Sequence, residues 1–375
     1  MAETHAYEQT ALLSRNLPLV WDVTLFFLVS AVFLFFFFSA LQFLTERRRR
    51  KVLKKKSAYI TRVNEYVMFG RDNIDVKGKL DCYAMADAVA EVNNFLSPAD
   101  RQKTAALLMA HDLDRCLLAR YDKSRFSLRR KFLFSKMLFL FSPRLKPFFA
   151  KAMLGWKDID LTEYAIYGFA MLAEDREDFE RMTTALQAAY GKGISLKFSE
   201  FVYTQAFSGA ARTEVAAYLL SVLHRDVSLA MVKSMVSAVG DLRDATYEPQ
   251  LAALYERYRS DDQFVVTYIR ALHKIGAEAC VMIKLYYLST NPVVRITCAK
   301  TGLDLCTPAV LKWLYIYFFD ENYHVRKNLL EACRRHGIVR SEIVEIVAEH
   351  VPAKLEDPFF LDGLNAFYPE YRHDQ

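Results

Sequence analysis

The chain has 375 residues, 53% of them hydrophobic, and 50 Lys+Arg against 44 Asp+Glu give a formal charge of +6. Twelve glycines, ten prolines and few stretches that alternate with period two exclude a turn-rich β architecture. Six cysteines without a C-x-x-C or any metal-ligand spacing speak against a zinc module and against a disulfide scaffold. The expected fold class is all-α: one N-terminal transmembrane helix followed by a cytoplasmic helical domain.

Residues 1–22 form a short polar tail with Glu3, Glu8, Arg15 and Asp22. From Val23 to Leu44 run 22 residues without a charge, including Phe26, Phe27, Phe33, Phe38 and Phe43. At about 1.5 Å per residue such a helix covers a hydrocarbon core of about 30 Å. Trp21 sits where an indole favours the headgroup region. A cleaved signal peptide would carry its cations before a shorter apolar core, whereas here they follow a long one. A buried core helix is equally disfavoured, because so much contiguous Phe would be hard to cover.

The polybasic stretch 45–56 holds Arg47, Arg48, Arg49, Arg50, Lys51, Lys54, Lys55 and Lys56. These are candidate contacts to anionic lipid, and they predict a tail outside and residues 45–375 in the cytoplasm. In a bacterium the membrane would be the inner one. Reduced cysteines (Cys82, Cys116, Cys280, Cys298, Cys306, Cys333) suit that compartment.

Residues 57–122 read as a helical region, with helices over 78–94 and 98–120. Ser97-Pro98-Ala99-Asp100 is a capped start with Pro in first position. Residues 123–157 then carry ten Lys/Arg and no acid, interleaved with Phe132, Phe134, Met137 to Phe141, Phe148, Phe149 and Trp156. The two basic segments together leave 32 basic residues against all 44 acids, so the rest of the protein is acidic. A helix with this pattern lies in a membrane interface or against a membrane partner, and Arg129, Arg130, Lys131 and Lys136 are its candidate lipid contacts. Nucleic acid is not expected on an otherwise acidic, membrane-tied chain.

Further helices are expected over 160–174, 176–190, 197–207 and 211–224. From about 226 a paired arrangement emerges. First helices at 228–240, 262–275, 292–305 and 322–336 alternate with second helices near 245–259, 277–289, 307–319 and 341–350. Ala271, Ala299 and Ala332 fall in register, as do Lys284 and Lys312. Asn291-Pro292-Val293-Val294-Arg295 and Asp320-Glu321-Asn322-Tyr323-His324-Val325-Arg326 resemble the Asp/Asn-x-x-Val-Arg opening of a HEAT first helix, and Asp261 to Val265 is a looser copy. The resemblance is to the HEAT/armadillo-like α-solenoid repeat class, covering 158–352. It implies protein–protein scaffolding. Candidate partner contacts are Lys284, Tyr287, Lys312, Trp313, Tyr315 and Tyr317, with Leu314, Ile316 and Phe318 assigned to the core. The tail 353–375 caps the stack or captures a partner.

Catalysis finds little purchase. His111-Asp112 invites a metal phosphohydrolase reading, but the one earlier histidine is His5, beyond the apolar span. Gly191-Lys192-Gly193 lacks the spacing of a phosphate loop and reads as a turn. His324, His336 and His350 have no ligand neighbours at helical spacing. No cofactor, metal or enzymatic activity is therefore expected. The function expected is that of a membrane-anchored scaffold, a non-catalytic subunit of a membrane complex. The other reading is a ligand-sensing or catalytic subunit with a pocket among helices 78–225.

Overall fold

The computed structural model describes residues 2–125, 127–155 and 159–369, with side chains from Phe26 onward except at 48, 79, 98, 99, 127 and 308. All regular structure among the described residues is helical. The chain divides into two compact units, 1–125 and 126–375.

The first unit opens on α1 (Ala2–Phe69), an unbroken helix. It is long and apolar enough to cross a membrane, and none of its apolar window is buried. From within the polybasic stretch onward its character changes. Val52, Lys56, Tyr59 and Val63 recur at spacings of four and three, so they share one face. Tyr59 and Val63 on that face are buried. The face packs on α2 (Lys79–Asn93), whose Cys82, Met85, Ala86 and Val89 are likewise buried. The connecting loop is tied down by the Tyr59 hydroxyl, which donates to Asp75 O at 2.8 Å.

The expected helix over 98–120 is two helices, α3 (Pro98–Ala110) and α4 (Leu113–Asp122). Asp112 adopts the left-handed conformation at φ 48°, which Asp tolerates better than most residues. The break lets Leu113, Leu117 and Tyr121 all face inward. Ser97 caps α3 as expected, accepting from Asp100 N.

The second unit begins with α5 (Ser127–Leu138), a short turn at Pro143–Leu145 and α6 (Lys146–Gly155). Next come α7 (Ile159–Ala170), α8 (Arg176–Tyr190), α9 (Leu196–Gly209) and α10 (Arg212–Val222). Then follow α11 (Leu229–Leu242), α12 (Glu248–Tyr258), α13 (Asp262–Ile275) and α14 (Cys280–Tyr286). The last are α15 (Pro292–Leu305), α16 (Leu311–Leu314), α17 (Tyr323–Arg335), α18 (Arg340–His350) and α19 (Pro358–Phe367). The helix expected over 307–319 is only the one turn of α16 between two 3-10 segments. The tighter winding after Leu314 turns Tyr317 and Phe318 into the core.

Packing in this unit skips one helix at a time. Helix α9 packs on α11, α11 on α13, α13 on α15 and α15 on α17, while α8 meets α10 and α10 meets α12. Three devices recur along the first row. Asp261, Asn291 and Asn322 each cap the helix that follows by accepting a backbone N–H (to Phe264, Val293 and His324). Ala271, Ala299 and Ala332 are buried where the helices approach one another. Opposite Ala271 stands Gly240, at which a Cβ would lie 2.9 Å from the Ala271 Cα.

The third device is polar. The Arg295 guanidinium grips Asp320 through Nε at 2.7 Å and Nη2 at 3.1 Å, and its Nη1 donates to Ser289 O and Thr290 O. Arg326, one helix later, donates to Asp320 O and Glu321 O in the same way. At the other end of these helices charges alternate. Lys274 pairs with Asp241 at 2.6 Å, and Asp304 takes His273 at 3.0 Å, His336 at 2.7 Å and Arg335 at 3.1 Å.

The close approach at Gly240 predicts that Gly240→Val costs about 1–3 kcal/mol by overpacking. Gly209, with open space around it, should accept Ala with no loss or a gain of up to about 1 kcal/mol. Thermal melts of the two variants, followed by circular dichroism, check both signs.

Candidate interaction surfaces

The expected anchor residues Phe26, Phe27, Phe33 and Phe38 are all more than 60% exposed on α1. The side chains of Trp21 and Arg48 lie outside the described residues. Arg47, Arg49, Lys51 and Lys54 are exposed, and Arg50 pairs with Glu46 at 3.3 Å. Lys55 and Lys56 depart from the expected role as lipid contacts. Lys55 Nζ donates to Asp81 at 2.5 Å and Lys56 pairs with Glu91, so both cations bind α2 to α1.

The basic-aromatic segment also departs from a helix lying flat on a bilayer. Leu133, Phe134, Met137, Leu138 and Leu140 are buried, as are Phe149, Ala152 and Met153 of α6. The reason is packing: α5 and α6 both press on α7, and Phe134 sits 5.4 Å from the ring of Phe149. What remains outside is narrower. Leu128 and Phe132 are exposed one turn apart on α5, beside exposed Arg129 and Arg130, and Leu154 is exposed on α6. Lys131 pairs with Asp160 at 2.9 Å, and the Lys136 ammonium stands 5.0 Å from the Phe132 ring. Trp156 and Lys157 lie outside the described residues.

The partner-contact candidates separate into surface and core. Lys284 and Lys312 are exposed, with Lys284 Nζ 4.1 Å from the ring centroid of Trp313. Tyr287, Trp313 and Tyr315 are half-buried, and Tyr315 packs 4.6 Å from His350. Tyr317 is 1% exposed, and its hydroxyl donates to Tyr287 O at 2.6 Å. It is a core residue, so the expected surface role is corrected. Ile316, expected in the core, is half-buried.

Sequence reasoning missed Val281, Leu285 and Leu288, which are exposed side by side on and just after α14. Apolar residues at helical spacing read as core, so only the burial of the neighbouring Ile283 on the opposite side reveals which face is outward. It also missed the meeting of His273, Asp304 and His336, which come from three different helices.

Two cavities accompany these surfaces. One of about 310 Å³ lies between α17 and α19, lined by Tyr323, Arg326, Leu330, Phe359, Phe360 and Phe367. Its Arg326 guanidinium is 5.2 Å from the Phe359 ring and 5.9 Å from Tyr323. The other, about 460 Å³, is a polar cleft around Arg295, Asp320 and Glu321.

The residues considered for chemistry take structural positions. His111 Nε2 is 3.1 Å from both carboxylate oxygens of Asp72. Among the described residues no group of three or more His, Cys, Asp or Glu is placed to hold a metal. Gly191 to Gly193 is a turn between α8 and α9, with Gly193 at φ 104°. A buried hydroxyl network joins Thr183 to Tyr203 and Tyr218, and desolvation pushes both phenols up. All six cysteines are free, yet Cys82 and Cys116 meet with sulfurs 3.1 Å apart. Comparison with family models, curated proteins and solved structures finds no match to the chain.

Burial pushes the thiols of Cys298 and Cys333 up from 9.0 to about 12. Below pH 9 both are neutral whether the chain is folded or not, and they add no pH dependence. Between pH 9 and 12 the unfolded chain releases protons that the folded one keeps. Each thiol should then lower stability by at most about 1.4 kcal/mol per pH unit. The expected outcome is that iodoacetamide at pH 8 leaves both unmodified until the protein is unfolded, and that melting temperatures fall above pH 9. Mass spectrometry of the alkylated peptides reads the first, circular dichroism the second.

Proposed function

We propose that this protein is a single-pass, membrane-anchored scaffold whose helical body gathers protein partners on the cytoplasmic face. Residues 23–44 span the bilayer, the tail 1–22 lies outside, and 45–375 lie in the cytoplasm. The observation that carries the reading is that α1 joins a bare phenylalanine-rich run, too apolar to be left in water, to a helical face docked on α2. The cations at 47–51 and at Lys54 then meet the anionic leaflet.

The body is read as a HEAT-like stack over 158–352. Support comes from packing between alternate helices, from the repeated Asp/Asn caps and from the equivalent Val-Arg positions at 295 and 326. In such a stack each pair covers its neighbour and leaves an extended surface free for other proteins. Within 123–157 lipid contact centres on Leu128, Phe132, Arg129 and Arg130 of α5, because most of the other apolar side chains there are covered by the core and the remaining exposed one, Leu154, lies on α6. Leu128, at 84% exposed, is costly to leave in water and cheap to seat among acyl chains.

Purification of the full chain from membranes in a mild detergent tests the scaffold reading. The expected outcome is a stoichiometric complex with at least one other protein that survives size-exclusion chromatography. Recovery as a lone species, with no companion after cross-linking in intact membranes, contradicts it.

A further inference from the structure

Helix α14 offers an apolar face that no other part of the described chain covers. Val281, Leu285 and Leu288 are 70%, 59% and 66% exposed. At i, i+4 and i+7 they form a single stripe. The opposite side of the same helix is seated, with Ile283 fully buried and Tyr286 Oη 2.8 Å from Tyr255 Oη. The stripe is therefore presented on a fixed element. Scattered apolar residues on a surface are ordinary, but Val281 and Leu285 one turn apart on α14, with Leu288 in the turn that follows, mark a place where another surface fits.

Two exposed cations border the stripe. Lys284 lies between Val281 and Leu285 in sequence, and its ammonium is steadied by the Trp313 ring. Lys312 is exposed on the adjoining α16. Glu278 is exposed just ahead of the stripe, Asp320 and Glu321 beside Leu288 are held by Arg295, and Asp304, the one acid between Cys280 and Phe319, is occupied by His273, Arg335 and His336. Among the described residues no ion pair joins Lys284 or Lys312 to a carboxylate. The complement of this face is an apolar ridge bordered by acids.

We propose that the face formed by Val281, Leu285, Leu288, Lys284 and Lys312 docks an amphipathic helix of a partner protein, with apolar residues at i, i+4 and i+7 and Asp or Glu on its flanks. A facing helix matches the stripe because ridges at that spacing interdigitate with the grooves of another helix. A lipid leaflet is the poorer complement, because a headgroup needs no ammonium held in one register by an aromatic ring. The proposal rests on the scaffold reading and gives that scaffold a specific seat and partner chemistry.

The test places the photoreactive residue p-benzoylphenylalanine at Leu285 of the full chain in its native membrane, with Thr267 of α13 as the control position. Cross-linked peptides are sequenced by mass spectrometry. The expected result is an adduct at 285, and not at 267, to a segment of a different protein with the stated apolar spacing and acidic flanks. Charge reversal by Lys284→Glu with Lys312→Glu, both at exposed positions, should reduce that adduct about tenfold or more. Adducts to lipid, to a second copy of this chain or to a segment without acids overturn the proposal. An empty position 285 in a chain that still co-purifies with companions also overturns it while leaving the scaffold reading in place. A chain without companions removes both.

Discussion

Inside a bilayer no water is present to satisfy backbone N–H and C=O groups, so a single crossing segment must satisfy them within itself, and a helix does so. Helix α1, long and apolar enough for such a crossing, does not end with its apolar residues. It continues to Phe69, and its last turns offer Val52, Tyr59 and Val63 to α2. The apolar run and the face docked on α2 thus lie on one continuous helix. Lys55 and Lys56 follow from that: residues that composition assigns to a lipid surface are drawn to Asp81 and Glu91 because the helix carrying them is already docked on the helix that carries the acids. Half-buried Lys56, and exposed Lys55 beside the buried carboxylate of Asp81, are screened less than a pair standing fully in water and salt.

The second unit depends on small residues at contacts and on polar groups at helix ends. Gly240 against Ala271 lets α11 and α13 approach until their backbones nearly touch. Once helices sit that close, their ends line up, and the same positions in successive pairs find one another. Arg295 reaches Asp320 at one end, while Lys274, His273, His336 and Arg335 alternate with Asp241 and Asp304 at the other. Each such pair ties a helix to the next in its row, so the row behaves as a chain of neighbours. Apolar faces that have no neighbour remain at the surface, and α14 shows this most plainly.

Much of this was legible in the sequence because it depends on local rules. The charge-free run 23–44, the cap at Ser97, the helix-opening residues Asp261, Asn291 and Asn322, and the register of Ala271, Ala299 and Ala332 all announce themselves by composition or spacing. The break at Asp112 does not, because neither Pro nor Gly marks it and the left-handed turn is stabilised by the burial of Leu113 and Leu117. The shortness of α16 was hidden by an apolar run that suits a helix as well as a 3-10 turn. Periodicity also cannot say which of two apolar faces is outward. Tyr317 was therefore read as surface and the stripe Val281, Leu285, Leu288 went unnoticed. Contacts over long separations, such as Lys284 with Trp313 or Asp304 with two histidines, have no local signal.

What carries the proposed function is a single crossing of the membrane by α1 with the body on the cytoplasmic side. Epitope tags at the two ends of the full chain, probed with a membrane-impermeant protease on intact cells and again after permeabilisation, test this most directly. The N-terminal tag should be lost from intact cells and the C-terminal tag only after permeabilisation. Loss of both tags from intact cells, or protection of both until the membrane is opened, would contradict the account.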